Sequence, residues 1–138
     1  MSILVTDTGF GGDDWAFGFH APDMLAANAP HDAGLDLGPD ANLQEIAAQL
    51  AEIPMIRIAF PSFADGRGFT LARQLRDMGF SGRLRAFGHI LSDQYAMARR
   101  SGFDEVEISD ELAQRQPEPE WLFRANWQAH DYRSRLAG

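Results

Sequence analysis

Residues 55–108, MIRIAFPSFADGRGFTLARQLRDMGFSGRLRAFGHILSDQYAMARRSGFDEVEI, decide the fold. Met55–Phe60 is rich in β-branched and aromatic residues and stops at Pro61, the mark of a strand. Thr70–Met78 carries Leu71 and Leu75 at helical spacing, with Gly79 just past its end. Arg83–Phe87 reads as the next strand. Ser92–Ser101 reads as a helix capped by Ser92 and stopped by Gly102, and Asp104–Ile108 as a third strand. A short helix over Asp110–Arg115 follows. Strand and helix alternate at short intervals, which predicts an α/β fold: a small single domain with a mainly parallel sheet of short βα units and right-handed crossovers. A weak repeat accompanies the alternation. Arg76-Asp77-Met78-Gly79-Phe80 and Arg99-Arg100-Ser101-Gly102-Phe103 stand 23 residues apart, each closing a helix on glycine before a phenylalanine that leads into a strand.

The strands alternate in character. Ile56, Ile58 and Phe60 share one face, Leu84 and Ala86 another, and Val106 and Ile108 a third. Arg57, Arg83, Arg85, Glu105 and Glu107 fall on the opposite side. A parallel sheet buried on both faces lacks such alternation. The pattern therefore predicts helices on one face and arginine and glutamate on the other. Arg57, Arg85 and Glu105 or Glu107 come within pairing reach, as an ion-pair ladder or as a polar pocket under an acidic N-terminal cap.

Outward from this core the reading weakens. Residues 1–42 are punctuated by Gly, Pro, Asp and Asn and read as an irregular acidic segment, with short strands around Ile3–Thr6 and Trp15–Phe19. Leu43–Glu52 reads as a helix with Leu43, Ile46, Ala47 and Leu50 on one face, opening a βα core over 43–116. Pro117-Glu118-Pro119-Glu120 reads as a linker, and Trp121–Leu136 as a last strand or helix in a tail over 117–138.

The 138 residues carry a formal charge of −8. Residues 1–56 hold nine acids and no arginine, whereas 57–138 hold eleven acids and all twelve arginines. So acidic a chain is a poor partner for nucleic acid or an anionic membrane surface. No apolar run approaches the roughly 20 residues that span a bilayer, and Met1–Thr8 lacks the features of a secretory signal, so a cytoplasmic location is expected. No cysteine is present, which excludes thiolate and iron–sulfur chemistry, and no lysine, which excludes Schiff-base chemistry. No Gly-x-Gly-x-x-Gly fingerprint is present, so no cofactor is assigned and self-sufficient redox catalysis is not expected.

Two loops have chemical character. Ser62, Asp65, Gly66, Arg67 and Gly68 follow the first core strand and open a helix, where glycine amides and an arginine fork suit an oxyanion. His89, Asp93 and Gln94 follow the next strand and would share the same sheet edge. Arg85 is a further ligand candidate. The alternative for the first loop is turn chemistry, with Arg67 simply pairing with Asp65 or Asp93. Ser62 and His89 lack the elbow of a hydrolytic triad, and His89 and Asp93 make an incomplete metal set, so no metal is assigned.

The run Phe60-Pro61-Ser62-Phe63-Ala64-Asp65-Gly66-Arg67-Gly68-Phe69 does more than suggest a ligand. Together with Ala72-Arg73, Leu75-Arg76, Leu84-Arg85-Ala86, Asp93-Gln94 and Gly102-Phe103-Asp104, it resembles the bacterial domain-of-unknown-function family 934. The resemblance covers residues 55–108, and extends loosely to Asp14-Trp15 and Trp127-Gln128. It implies a gene encoded beside those of assimilatory sulfite reductase and other steps of sulfate assimilation, and some relatives are labelled probable oxidoreductases without established chemistry. The chain departs from the family's pattern at His89, where many relatives carry Asp, and at Ser101, where many carry Cys. The function expected is a non-catalytic accessory protein of sulfite reduction that docks on sulfite reductase or its electron supply. Trp121, Phe123, Arg124 and Trp127 are the candidates for partner binding. The alternatives are a small oxyanion-binding enzyme or sensor and a homodimerising structural domain.

Overall fold

Alternate apolar residues in five strands line up in register. Leu37, Ile58, Ala86, Val106 and Val5 form one row across neighbouring strands, and Leu35, Ile56 and Leu84 form the next. All eight are buried. The structure, a computed structural model, describes residues 2–22 and 32–130. Its sheet has seven strands: β1 (Ser2–Thr6), β2 (Gly9–Gly11), β3 (Phe19–His20), β4 (Gly34–Leu37), β5 (Met55–Phe60), β6 (Arg83–Gly88) and β7 (Glu105–Ser109). Their order is β2-β1-β7-β6-β5-β4-β3. Strands β3 to β7 are parallel, and β1 and β2 join antiparallel beyond β7. The α/β class with a mainly parallel sheet of short βα units is thus observed.

Helices α1 (Arg67–Asp77) and α2 (Tyr95–Ser101) connect β5 to β6 and β6 to β7, and α3 (Asp110–Arg115) and α4 (Glu118–Leu122) follow the last strand. Leu71, Ala72 and Leu75 of α1 and Tyr95 and Ala98 of α2 enter the core on the apolar side of the sheet, with Leu112 and Trp121 closing one end. Burying each large side chain contributes roughly 1.5–3 kcal/mol, which is why the apolar row leaves little choice of face.

The repeat has a structural meaning. Gly79 and Gly102 adopt positive φ of 97° and 115°, where a side chain is strained. Phe80 and Phe103 then donate their amides back to Leu75 O and Ala98 O, at 3.0 and 3.1 Å. In both units the arginine four residues earlier donates to the phenylalanine carbonyl: Arg76 Nη1 to Phe80 O (3.0 Å) and Arg99 Nη1 to Phe103 O (2.5 Å). The motif is a helix-stopping device that drops a phenylalanine into the core.

Four local expectations need correction. Leu43–Glu52 is two 3₁₀ turns, Leu43–Glu45 and Ala47–Glu52, because Ile46 leaves the helical path at φ −113° and buries its side chain. The strand expected at Trp15–Phe19 shrinks to Phe19–His20. Asp13 and Trp15 instead form a turn, with the Trp15 amide donating to Asp13 Oδ1 (2.9 Å) and its indole to Gly18 O (2.8 Å). Ser92 starts a 3₁₀ turn rather than capping a helix, and the Gln94 side chain accepts from the Leu91 amide at 2.9 Å. Pro117–Glu120 is not a linker but the start of α4, since a proline in the first turn gives up no helical hydrogen bond. Strand β4 was not expected at all, although Leu35-Asp36-Leu37 carries the alternation. Of the tail, Trp127–His130 forms a 3₁₀ turn, and 131–138 lie outside the described residues.

Candidate functional site

The polar face of the sheet is a closed layer of charge. Register places Asp36, Arg57, Arg85 and Glu105 side by side across β4 to β7. Arg85 is fully buried at its centre. Its Nε donates to Glu105 Oε2 (2.6 Å) and its Nη1 to Glu107 Oε1 (2.8 Å), while Nη2 lies 3.1 Å from Asp13 Oδ1 as an ion pair without hydrogen-bond alignment. Arg57 forks onto Asp36 (2.6 and 2.9 Å) and reaches Glu107 at 3.1 Å. Arg83 bridges Glu105 and Asp14, at 2.6 and 2.5 Å. The Phe19 ring lies 3.8 Å from the Arg57 guanidinium and 5.8 Å from that of Arg85. The ladder and the acidic cap are therefore one structure, with residues 13–19 of the lead laid over the sheet.

The electrostatics follow from this geometry. Burial pulls the Arg85 pKa down, but Asp13, Glu105 and Glu107 outweigh it and raise the value, so the guanidinium stays charged. Burial would raise the Asp13 pKa, but the Arg85 guanidinium beside it and the hydrogen bond from the Trp15 amide hold it below the ordinary range. The hydrogen bond from Arg83 lowers Asp14 against a smaller effect of burial. Asp7, in the β1–β2 turn, is lowered too: burial is outweighed by donors from Tyr95, Arg99 and Trp127. Tyr95 Oη lies 2.6 Å from Asp7 Oδ1, and the Arg99 Nε 3.1 Å from the same oxygen.

The two loops singled out in the sequence do meet at the carboxyl edge of the sheet. The His89 amide donates to Phe60 O (2.9 Å), and Gln94 Nε2 donates to Phe63 O (3.2 Å). Between the ends of β5, β6 and β7 lies a cavity of about 500 Å³, walled by Phe60, Pro61, Phe63, Phe87, His89 and Leu112. Asp65, Arg67, Asp93 and Gln94 do not line it. Arg67 instead closes its fork on Asp65, with Nε to Oδ1 at 3.0 Å and Nη2 to Oδ2 at 2.7 Å, and the arginine side of the pair is exposed. Asp65 also accepts from the Arg67 amide (3.1 Å), the turn chemistry weighed from the sequence. Gly68 has a packing reason, because a Cβ there would strike the Phe60 ring. Gly66 precedes α1 at φ −93° and Ser62 is exposed, its carbonyl accepting from the Asp65 amide at 3.2 Å. Arg85, the remaining ligand candidate, lies in the charge layer. Ser101 is buried and donates to Met97 O at 2.8 Å.

The tail candidates divide. Trp121 is buried and donates to Gln116 O at 2.7 Å, as a core residue does. Trp127 is half-buried, stacked 4.8 Å from the Arg99 guanidinium. Phe123 is 73% exposed, and Met97 on α2 is 48% exposed. The two share a second cavity of about 520 Å³ with Arg100, Arg124 and Trp127. Among the described residues no group of three or more potential ligands is placed to hold a metal ion, and no helix is long and apolar enough to cross a membrane.

Compared with known proteins, residues 34–134 match the model of DUF934, described as a bacterial protein of unknown function. The matched range takes in β4 to β7 and all four helices, and leaves out β1 to β3 with Asp7, Asp13 and Asp14. No curated protein matches the chain, and no solved structure does.

Proposed function

This chain belongs to the bacterial family DUF934, and from that premise we propose that it is a non-catalytic accessory protein of assimilatory sulfite reduction, working by docking on sulfite reductase or on the protein that supplies its electrons. The observation that carries the docking is the surface around Phe123. An aromatic ring and Met97 stand exposed there beside Arg100 and Arg124. Aromatic, methionine and arginine side chains are the types enriched where protein partners meet. On a chain of net charge −8 this corner sets two arginines against one acid, Asp93, so it fits an acidic patch on the partner. The resemblance to the family supplies the sulfite step. The arginine that an oxyanion site would use, Arg67, is bound to Asp65, which favours docking over chemistry on a free oxyanion.

Growth of a deletion strain on sulfate, sulfite or cysteine as sole sulfur source tests this reading. Rescue by cysteine but not by sulfite is expected. Normal growth on sulfite overturns it. A Phe123→Asp, Met97→Asp variant should melt like the parent yet fail to complement and fail to retain sulfite reductase or its electron donor in a pull-down.

A further inference from the structure

The cavity at the carboxyl ends of β5, β6 and β7 stands apart from the docking surface, with which it shares no lining residue. Open α/β sheets bind ligands at this edge. Its volume of about 500 Å³ is that of a small-molecule site, commonly about 300–1,000 Å³. Its walls are aromatic and its polar content is small. Phe63 and Phe87 line it while remaining 38% and 37% exposed, although the Arg57 guanidinium lies 4.5 Å from the Phe87 ring. His89 gives the site direction. Its Nδ1 lies 3.2 Å from Phe60 O, and a carbonyl can only accept, so Nδ1 is the donor there and in the neutral imidazole the lone pair falls on Nε2. Among the described residues nothing donates to Nε2. The Phe63 ring meets the imidazole edge-on at 5.0 Å and fixes its plane. At the rim, Glu111 and Arg115 neutralise one another at 2.8 Å, so the opening demands no charge of its ligand.

We propose that this cavity binds a small uncharged aromatic molecule bearing a hydrogen-bond donor, its ring against Phe63 and Phe87 and its donor on His89 Nε2. Gly88 makes the arrangement possible. At φ +114°, with a Cβ reaching to 2.8 Å from Phe60 O, only glycine brings His89 back over the end of β5.

Indole and 1-methylindole are the probes, titrated into the full chain and followed by the amide and aromatic NMR signals. Saturable shifts confined to Phe63, Phe87, His89 and their neighbours are expected with indole. Binding of 1-methylindole, which lacks the donor, should be about tenfold weaker, since one unmet hydrogen bond is worth about that factor. His89→Ala should bind both probes alike, with unchanged circular dichroism. Shifts that are absent or lie elsewhere, equal binding of the two probes by the parent, or an undiminished preference for indole in His89→Ala would each overturn the proposal. None of these outcomes depends on sulfur metabolism, so this site and the docking function stand or fall separately.

Discussion

Arg85 shows how much one residue can organise. Its guanidinium is out of water, so its stability rests wholly on Glu105, Glu107 and Asp13. Removing one member of a buried charge group leaves the others unpaired, which costs about 3–5 kcal/mol. Here Glu105 keeps Arg83 and Glu107 keeps Arg57, so the loss falls at the lower end. Arg85→Met should therefore lower the unfolding free energy by about 3 kcal/mol in urea melts. Adding Glu105→Gln should restore part of it, and a further loss in the double variant would contradict the pairing. The alternation Ile56-Arg57-Ile58 and Leu84-Arg85-Ala86 made this layer legible in advance. What composition could not supply was the partner from the lead: Asp13 and Asp14 lie more than 70 residues from Arg85 and nothing in their spacing marks them.

At the scale of elements, the arginine–glycine–phenylalanine repeat closes two helices and ties them together. Arg76 donates to Gly102 O (3.0 and 2.8 Å), Phe80 O (3.0 Å) and Gly82 O (2.8 Å), so the end of α1 is fastened to the end of α2. Arg76→Ala should cost about 2–3 kcal/mol by denaturant melt, since hydrogen bonds to charged groups contribute about 1.5–3 kcal/mol each when desolvated and these are half-exposed. Arg76→Lys should recover little, because a single ammonium cannot reach three carbonyls held by a planar fork. A full recovery would mean that charge alone matters here. The core strands were readable because their period is two and their ends carry Pro or Gly. Leu43–Glu52 was misread because its apolar spacing is helical, yet burying Ile46 required a break in the path. The linker was misread because proline signals both a break and a helix start, and only the packing of Trp121 decides between them. The strand-end cavity escaped the sequence for a different reason. Phe63 lies in the turn after β5 and Phe87 near the end of β6, and their meeting depends on register.

For the whole molecule, the acidic lead and the arginine-rich body form one electrostatic unit. Asp7, Asp13 and Asp14 all titrate below the ordinary aspartate value of about 3.9. A carboxylate whose pKa is lower in the folded state adds stability that is fully present above the unfolded pKa and lost as pH falls through the folded value. The melting temperature should therefore be level from about pH 8 to pH 5 and fall steeply below pH 4. Asp13→Asn should lower the plateau and make the acid limb shallower, as differential scanning calorimetry would record. A limb unchanged in slope would place the acid sensitivity elsewhere.

Ser2 lies opposite Ser109, so the first strand made is seated against the last. On a ribosome, β1 waits with only β2 beside it while the rest of the sheet is translated, and its other edge stays open until β7 leaves the exit tunnel. The charge layer cannot close before then, because Glu105 and Glu107 arrive on that same strand. Assembly of this sheet is therefore completed after most of the protein has been synthesised, and the long loop this closes makes the final step slow. A stalled or truncated nascent chain that ends before residue 105 carries three arginines without their glutamates and a hydrophobic strand with one edge open, a state fit for chaperone capture.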